Sequence, residues 1–337
     1  MSDPISRLFL GSLIADAVAM PVHWYYDTAL LDRDYGEVDG YLAPKNPHAG
    51  SILWRSHYQA RNELGEILHD QAQYWGQRGI HYHQFLEAGE NTVNYQLAME
   101  LVRQVLENGH YDADAWLERY VDRMRTPGWH RDTYVEEYHR AFFDNLAQGN
   151  KARTCGIVDI HIGGLAHIPA LFAALRVVGE EAAERIENMI REHVSLTHQG
   201  PAVDQAALAL TRMLLEIEKG ADVRSAIEKH GNGWIGKGKL IKLEKKEDRF
   251  IVGRKYTPAC YLPESFTGSL ALAWKYADDF EGGILANARC GGDNCHRGAV
   301  VGSLLGAGNS IPQKWIGGLK AWEKLDPLFA IGRNEQS

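Results

Sequence analysis

Apolar and small residues recur at three- and four-residue intervals along most of this chain, the period of helices packed through one face. Residues 4–20 carry Gly11, Ala15 and Ala19 at four-residue spacing, and Gly298, Gly302 and Gly306 repeat it near the other end. Each set leaves a stripe free of bulky side chains, so the two predicted helices are natural partners that press backbone to backbone. Residues 93–107 place Leu97, Leu101 and Val105 on one face, after a polar Glu90-Asn91-Thr92 able to cap the helix. Val203, Ala206, Leu210, Leu214 and Ile217 give residues 202–218 the same character. Further helices are predicted near 113–124, 133–147, 165–178, 180–193 and 269–278. The exception is 239–256, where two short apolar runs flank a charged turn and read as a surface β-hairpin. Residues 35–62 are irregular, with Tyr41, His48, Trp54, His57 and Tyr58 among prolines and a glycine. A loop of this kind either covers a binding site or packs on the bundle. No Pro/Gly-rich linker divides the chain, so the expectation is one all-α domain over 1–337.

Composition narrows the function classes. Hydrophobic residues at 45% and charged residues at 24% are globular values, and a net charge of −8 argues against a nucleic-acid partner. The cationic cluster Lys237 to Lys246, with Arg254 and Lys255, is interleaved with Glu244, Glu247 and Asp248, as on a solvated surface. The chain opens without a basic region followed by a long apolar run, so no secretory signal is expected. No stretch reads as the roughly 18 apolar residues of a membrane span. Cys155, Cys260, Cys290 and Cys295 are too few for a disulfide scaffold, and a reduced, cytoplasmic protein without nucleic-acid or membrane partners is expected. The sequence sets no oligomeric state.

Four segments place ionisable side chains at helix ends or glycine turns. Asp16 lies among Leu13, Ile14, Val18 and Met20, where a carboxylate must find a partner, and His23 follows the helix-ending Pro21. Gly89-Glu90-Asn91-Thr92 opens the 93–107 helix, as an N-cap or as part of a site. Ser195-Leu196-Thr197-His198-Gln199-Gly200-Pro201 stops one helix and restarts another, with one histidine that is either structural or functional. Gly291-Gly292-Asp293-Asn294-Cys295-His296-Arg297 puts five consecutive functional side chains at a helix mouth, more than a cap requires.

In this order the segments resemble the ADP-ribosylglycohydrolase family. Residues 11–21 look like its opening Gly-x-x-x-Gly-Asp-Ala-x-Gly-x-Pro helix, and Gly89-Glu90-Asn91-Thr92 stands where the family has Asp-Asp-Thr. Ser195-Leu196-Thr197-His198 matches its Thr-His element, and residues 291–308 are similar to its closing Gly-Gly-Asp-Thr-Asp-Thr helix. The resemblance implies an orthogonal helical bundle whose motif helices converge on two magnesium or manganese ions. Those metals orient an ADP-ribosyl group during cleavage of its anomeric bond. Asp16 and Asp293 are retained, whereas Glu90 and Asn91 replace the two aspartates of the second motif. Cys295 stands for an aspartate, His296 for a threonine, and His23 for a glutamate used by some members. Nitrogen and sulfur in place of hard oxygen ligands argue against a magnesium pair, leaving Glu90 and Asp293 as the oxygen ligands to test.

The expectation is a glycosidic hydrolase of an ADP-ribosyl or related ribosyl substrate with a remodelled site. Glu90 and Asp293 act as its carboxylates, His23 and His296 move protons, and Cys295 offers a thiolate favoured by the helix terminus. Asp16, Asn91, Thr92, His198, Gly291, Gly292 and Asn294 are the expected substrate contacts. Three alternatives stay open. One is a silent ADP-ribose- or nucleotide-binding, or structural, relative. Another is a Cys295-dependent hydrolase of some other small substrate. The last is a transition-metal site at His23, Glu90, Asp293, Cys295 and His296.

Overall fold

The helices are α1 (Pro4–Ala19), α2 (Thr28–Tyr35), α3 (Val93–Asn108), α4 (Ala113–Arg125), α5 (Glu137–Ala147), α6 (Ile168–Val177), α7 (Ala183–Ser195) and α8 (Pro201–Glu218). They continue as α9 (Val223–His230), α10 (Lys237–Glu244), α11 (Asp248–Ile251), α12 (Glu264–Lys275), α13 (Phe280–Arg289), α14 (Asn294–Gly308) and α15 (Gln313–Gly318). The computed structural model describes residues 3–325, so the ends of the 1–337 domain lie outside the described residues. Strands β1 (Ile157–Val158) and β2 (His198–Gln199) pair in parallel, Ile157 opposite His198.

The stripe-to-stripe packing expected from sequence is the centre of this all-α fold. Almost every residue of α1 and α14 is buried, and both are surrounded by the other helices. A Cβ at Gly11 would lie 2.2 Å from the Gly302 carbonyl oxygen, and one at Gly302 would lie 2.3 Å from the Gly11 oxygen. Only glycine permits this approach, and it sets Asp16 on α1 against the start of α14. By length and composition Pro4–Val22 could cross a membrane, which corrects the expectation that no segment reads so; 89% of its apolar window is buried inside the protein. It is a core helix here.

The hairpin expected at 239–256 does not form. Residues 237–244 and 248–251 are the helices α10 and α11. Leu240 and Leu243 are buried at helical spacing, and the intervening Lys and Glu are good helix formers, so the three-residue period wins over the apparent strands. The helix expected at 133–147 starts only at Glu137, leaving 133–136 outside it, with Glu136 extended and free to turn inward. The single helix expected at 269–278 is α12, which starts and ends earlier. The 35–62 loop packs on the bundle and also borders a cleft. Tyr41 packs through its hydroxyl on the Trp315 carbonyl at 2.7 Å, while Ile52 and Ser56 line a cleft.

Candidate active site

The glycine pair before α14 fixes the site's backbone. Gly291 and Gly292 have φ of +62° and +64°, and a Cβ on either would lie 2.2 Å from a carbonyl oxygen, that of Tyr25 or Pro258. Gly292 donates to the Tyr25 carbonyl at 2.8 Å and accepts from Trp24 N–H at 2.7 Å, while Asp293 N–H donates to Pro258 at 2.8 Å. The segment after α1 is thereby clipped to the mouth of α14, bringing His23 to Asp293. Trp24 carries φ of +60°, a strained value for a large side chain that this clip maintains.

Asp293 is the hub of a buried network. Its Oδ1 lies 2.8 Å from His23 Nε2 and 2.6 Å from His296 Nδ1. The other nitrogen of His296, Nε2, lies 3.2 Å from Glu136 Oε1, so one imidazole bridges two buried carboxylates. Burial alone would lower the pKa of His296, but Asp293 and Glu136 overcome it and raise the ring to about 10. Burial works to raise both carboxyls, and the charge and hydrogen bonds of His296, together with His23 at Asp293 and the other neighbouring imidazoles, more than offset it, so each is held below the ordinary range. The centre is therefore carboxylate, imidazolium, carboxylate. Asn94 Nδ2 stands 3.0 Å from both Glu136 Oε1 and His296 Nε2. Its Oδ1 accepts from Tyr138 and His139, and a protonated ring has no lone pair to offer, so the amide donates to Glu136.

Behind His23 runs a relay. His23 Nδ1 lies 2.8 Å from His83 Nε2, and His83 Nδ1 meets Asp132 Oδ1 in a short contact. Burial raises the Asp132 carboxyl to about 8 and lowers His23 to about 3 and His83 to about 4. One proton arrangement satisfies these states: Asp132 O–H donates to His83, His83 donates to His23, and His23 donates to ionised Asp293. The linkage has a definite sign. A carboxyl with a folded pKa above its ordinary 3.8 contributes stability at low pH and loses it as pH climbs toward about 8. Asp132→Asn cannot ionise and keeps a donor toward His83. It is expected to match wild type in urea midpoint near pH 4 and to exceed it near pH 8; equal midpoints at both pH values would contradict the protonated Asp132.

Above this network lies a cleft of about 200 Å³ with Trp24, Tyr82, Tyr134, Glu136, His161 and Cys260 among its lining. Glu136 Oε2 and Asp293 Oδ2 are buried without hydrogen-bond partners. His161 Nδ1 accepts the Gly163 N–H at 2.8 Å, so Nε2 carries its proton, 3.7 Å from Asp293 Oδ2. Glu136, His161, His83, Asp132, Asn94 and Cys260 were not singled out by sequence reasoning. The histidine pair in His81-Tyr82-His83 and the acidic pair Glu136-Glu137 at the start of α5 were the available signals.

The other sequence-derived candidates separate into distinct places. Asp16 accepts from Asn91 Nδ2, Thr92 N and Thr92 Oγ1, each at 2.9 Å, a closed knot joining α1 to α3. Burial raises Asp16 to about 6, the three donors opposing the shift. Cys295 is fully buried, its thiol turned to the Asp16 carbonyl at 3.7 Å, and burial pushes its pKa well up. That corrects the thiolate expectation: it is a packed thiol. Glu90, expected to be a catalytic carboxylate, pairs with Arg131 at 2.5 Å and lines a different depression with Asn91 and Arg103. Its short link to the Glu87 N–H turns it away from Asp293's cleft. Gly291 and Gly292 serve the turn, and Asn294 donates to the Val22 and Ala288 carbonyls, so the three shape the backbone. His198 is buried against Tyr138, ring centroids 4.2 Å apart, and lines a separate small cavity rather than this cleft.

A magnesium or manganese pair does not fit these residues. Asp16 already accepts three hydrogen bonds, the Thr92 hydroxyl is spent on one of them, and Glu90 points elsewhere. His296 fills the space between the two remaining carboxylates as a cation. His23, Asp293 and His296 do place three ligand-type atoms within 4.8 Å of one another, as do His161, Cys260 and Asp293. In the first set those atoms already satisfy each other by hydrogen bonds.

Fold and site together define an all-α protein in which one buried carboxylate, Glu136, lines a cleft and a second, Asp293, is joined to it through His296, the residue types that serve glycoside cleavage. The chain belongs to the ADP-ribosylglycohydrolase family, whose model matches residues 3–335. Membership supports a glycohydrolase-type function. A solved structure described as an ADP-ribosylglycohydrolase-related protein complex is similar at a TM-score of 0.61 and 20% identity, over 98% of this chain and 97% of that one. That likeness carries the fold. A comparison with curated proteins returns no match.

Proposed function

We propose that the protein hydrolyses a glycosidic bond of a ribosyl substrate, ADP-ribosyl or related, using Asp293 and Glu136 as fixed anionic groups. The observation that carries this reading is the His296 imidazolium shared by the two carboxylates, each with one oxygen left unpartnered. Cleavage of an anomeric bond builds positive charge on the sugar carbon and ring oxygen. Preorganised carboxylates in a buried site stabilise that charge without reorganisation. A carboxylate held so firmly ionised is a weak base, so electrostatic stabilisation is its main contribution and acceptance of a water proton by Glu136 Oε2 a lesser one. Asp293 stands behind Glu136 and receives His23, which keeps it oriented.

The test is release of reducing ribose from a panel of ribosyl glycosides and an ADP-ribosylated peptide. Glu136→Gln keeps the shape and removes the charge. It is expected to lower kcat about 100-fold or more on whichever substrate wild type cleaves. Undiminished turnover in that variant contradicts the assignment. Binding of ADP-ribose with no cleavage of any panel member favours the silent relative.

A further inference from the structure

The walls of the cleft are aromatic and acidic. Trp24, Tyr82 and Tyr134 stand edge-on to one another, with centroids 4.8 Å apart for Trp24–Tyr82, 4.9 Å for Trp24–Tyr134 and 5.6 Å for Tyr82–Tyr134. Glu137 and Asp159 also line it, and neither pairs with a Lys or Arg among the described residues. Glu136 is 4% exposed, and its Oε2 has no hydrogen-bond partner. No Lys or Arg among the described residues lines the cleft; Arg140 sits over the Tyr134 ring, 5.6 Å from its centroid, with its Nε on the Val135 carbonyl. Three carboxylates without a lining cation repel phosphate, whereas aromatic faces and carboxylates both attract positive charge.

Resting on the glycosidase reading above, we propose that the bond cleaved is the N-glycosidic bond of a cationic, pyridinium-type aglycone. The aromatic cation lies in the cleft against the wall formed by Trp24, Tyr82 and Tyr134, with its charge toward Glu136. The floor of the cleft suits this class. Asp293 Oδ1 accepts from two imidazoles, and Glu136 Oε1 from an imidazole and an amide, so both groups are arranged as acceptors with no proton to give. Both N–H groups of His296 are committed to them, and His161 presents a neutral N–H. An unactivated O-glycoside needs a proton on its departing oxygen. A pyridinium glycoside does not: the anomeric C–N bond breaks, its electron pair stays on the ring nitrogen, and neutral pyridine leaves. Water adds its oxygen to the anomeric carbon, and its proton passes by Glu136 Oε2 to solvent, so the substrate's positive charge ends as the released proton.

Three probes test this: β-D-ribosylpyridinium, p-nitrophenyl β-D-riboside, and N-methylpyridinium as an unreactive cation. The neutral p-nitrophenyl riboside also needs no leaving-group proton, so it reports glycosidase activity independently of charge preference. The expected results are turnover of the pyridinium riboside with kcat/KM about 10-fold or more above the neutral one, and competitive inhibition by N-methylpyridinium. The double variant Glu137→Gln with Asp159→Asn is expected to raise KM for the pyridinium riboside about 5-fold. Cleavage of the neutral riboside alone overturns the cationic assignment and leaves the glycosidase reading standing. Cleavage of neither, with no cleavage of the ADP-ribosylated peptide, overturns the glycosidase reading, and calorimetry with N-methylpyridinium then decides the pocket. Saturable binding weakened in Glu136→Gln upholds it, and no binding overturns it.

Discussion

Asp293→Asn is expected to lower kcat/KM about 1,000-fold or more on any glycoside the protein cleaves, the largest catalytic loss of any single substitution in the site. The reason is that one oxygen of Asp293 receives both His23 and His296, while the other is left unpartnered next to His161. An amide at this place removes the negative charge that stabilises the sugar cation. It also turns an N–H₂ or a neutral oxygen toward two ring nitrogens that are both donors, so the site loses orientation as well as charge. His296 should respond too. With only Glu136 left to oppose burial, its pKa should fall from about 10, and histidine NMR titration reads that change directly. A normal rate in the Asp293→Asn variant, or an unmoved His296 titration, would show that the pair acts otherwise.

The largest stability effect is expected from Gly302→Ala, which should cost about 3 kcal/mol or more in urea unfolding. A Cβ at Gly302 would lie 2.3 Å from the Gly11 carbonyl oxygen and 2.7 Å from the Ala15 Cβ, so α1 and α14 must separate. Gly298→Ala is the internal control. Its Cβ would meet Ala15 and Asn287 at 3.3 Å, a contact the neighbours can absorb with small shifts, and about 1 kcal/mol is expected. The two alanines differ little in helix propensity, so the ordering isolates the backbone approach. Gly298→Ala at least as damaging as Gly302→Ala would contradict the packing described. Activity should fall with Gly302→Ala as well, because the same approach sets the mouth of α14 against His23.

The fold was largely legible because glycine and apolar spacing report directly on helix faces. Gly11 with Gly302 and the Leu97–Leu101–Val105 face are cases where one local period states one local structure. The site was legible only in part. Asp293, His296 and His23 come from motif segments and do converge. Glu136, His83 and Asp132 lie outside the helices, where no period tells which way a side chain turns. Glu136 in particular reads as an acidic helix N-terminus, yet its backbone is extended and its carboxylate faces His296 rather than the helix it precedes. Glu90 and Cys295 failed for the opposite reason. Their residue types suited chemistry, but an Arg131 partner and complete burial, neither visible along the chain, removed them from the cleft. The surface hairpin failed because short alternating runs in a Lys- and Glu-rich segment satisfy the helical period equally well.

Everything chemical here depends on the protonation of His296, and neutron diffraction at neutral pH on deuterium-exchanged crystals reads it without inference. The expected map has deuterium on both ring nitrogens of His296, none on Asp293 or Glu136, and one on the Asp132 carboxyl. A His296 ring with a single deuterium, or with a metal ion between it and Asp293, would contradict the carboxylate–imidazolium–carboxylate centre.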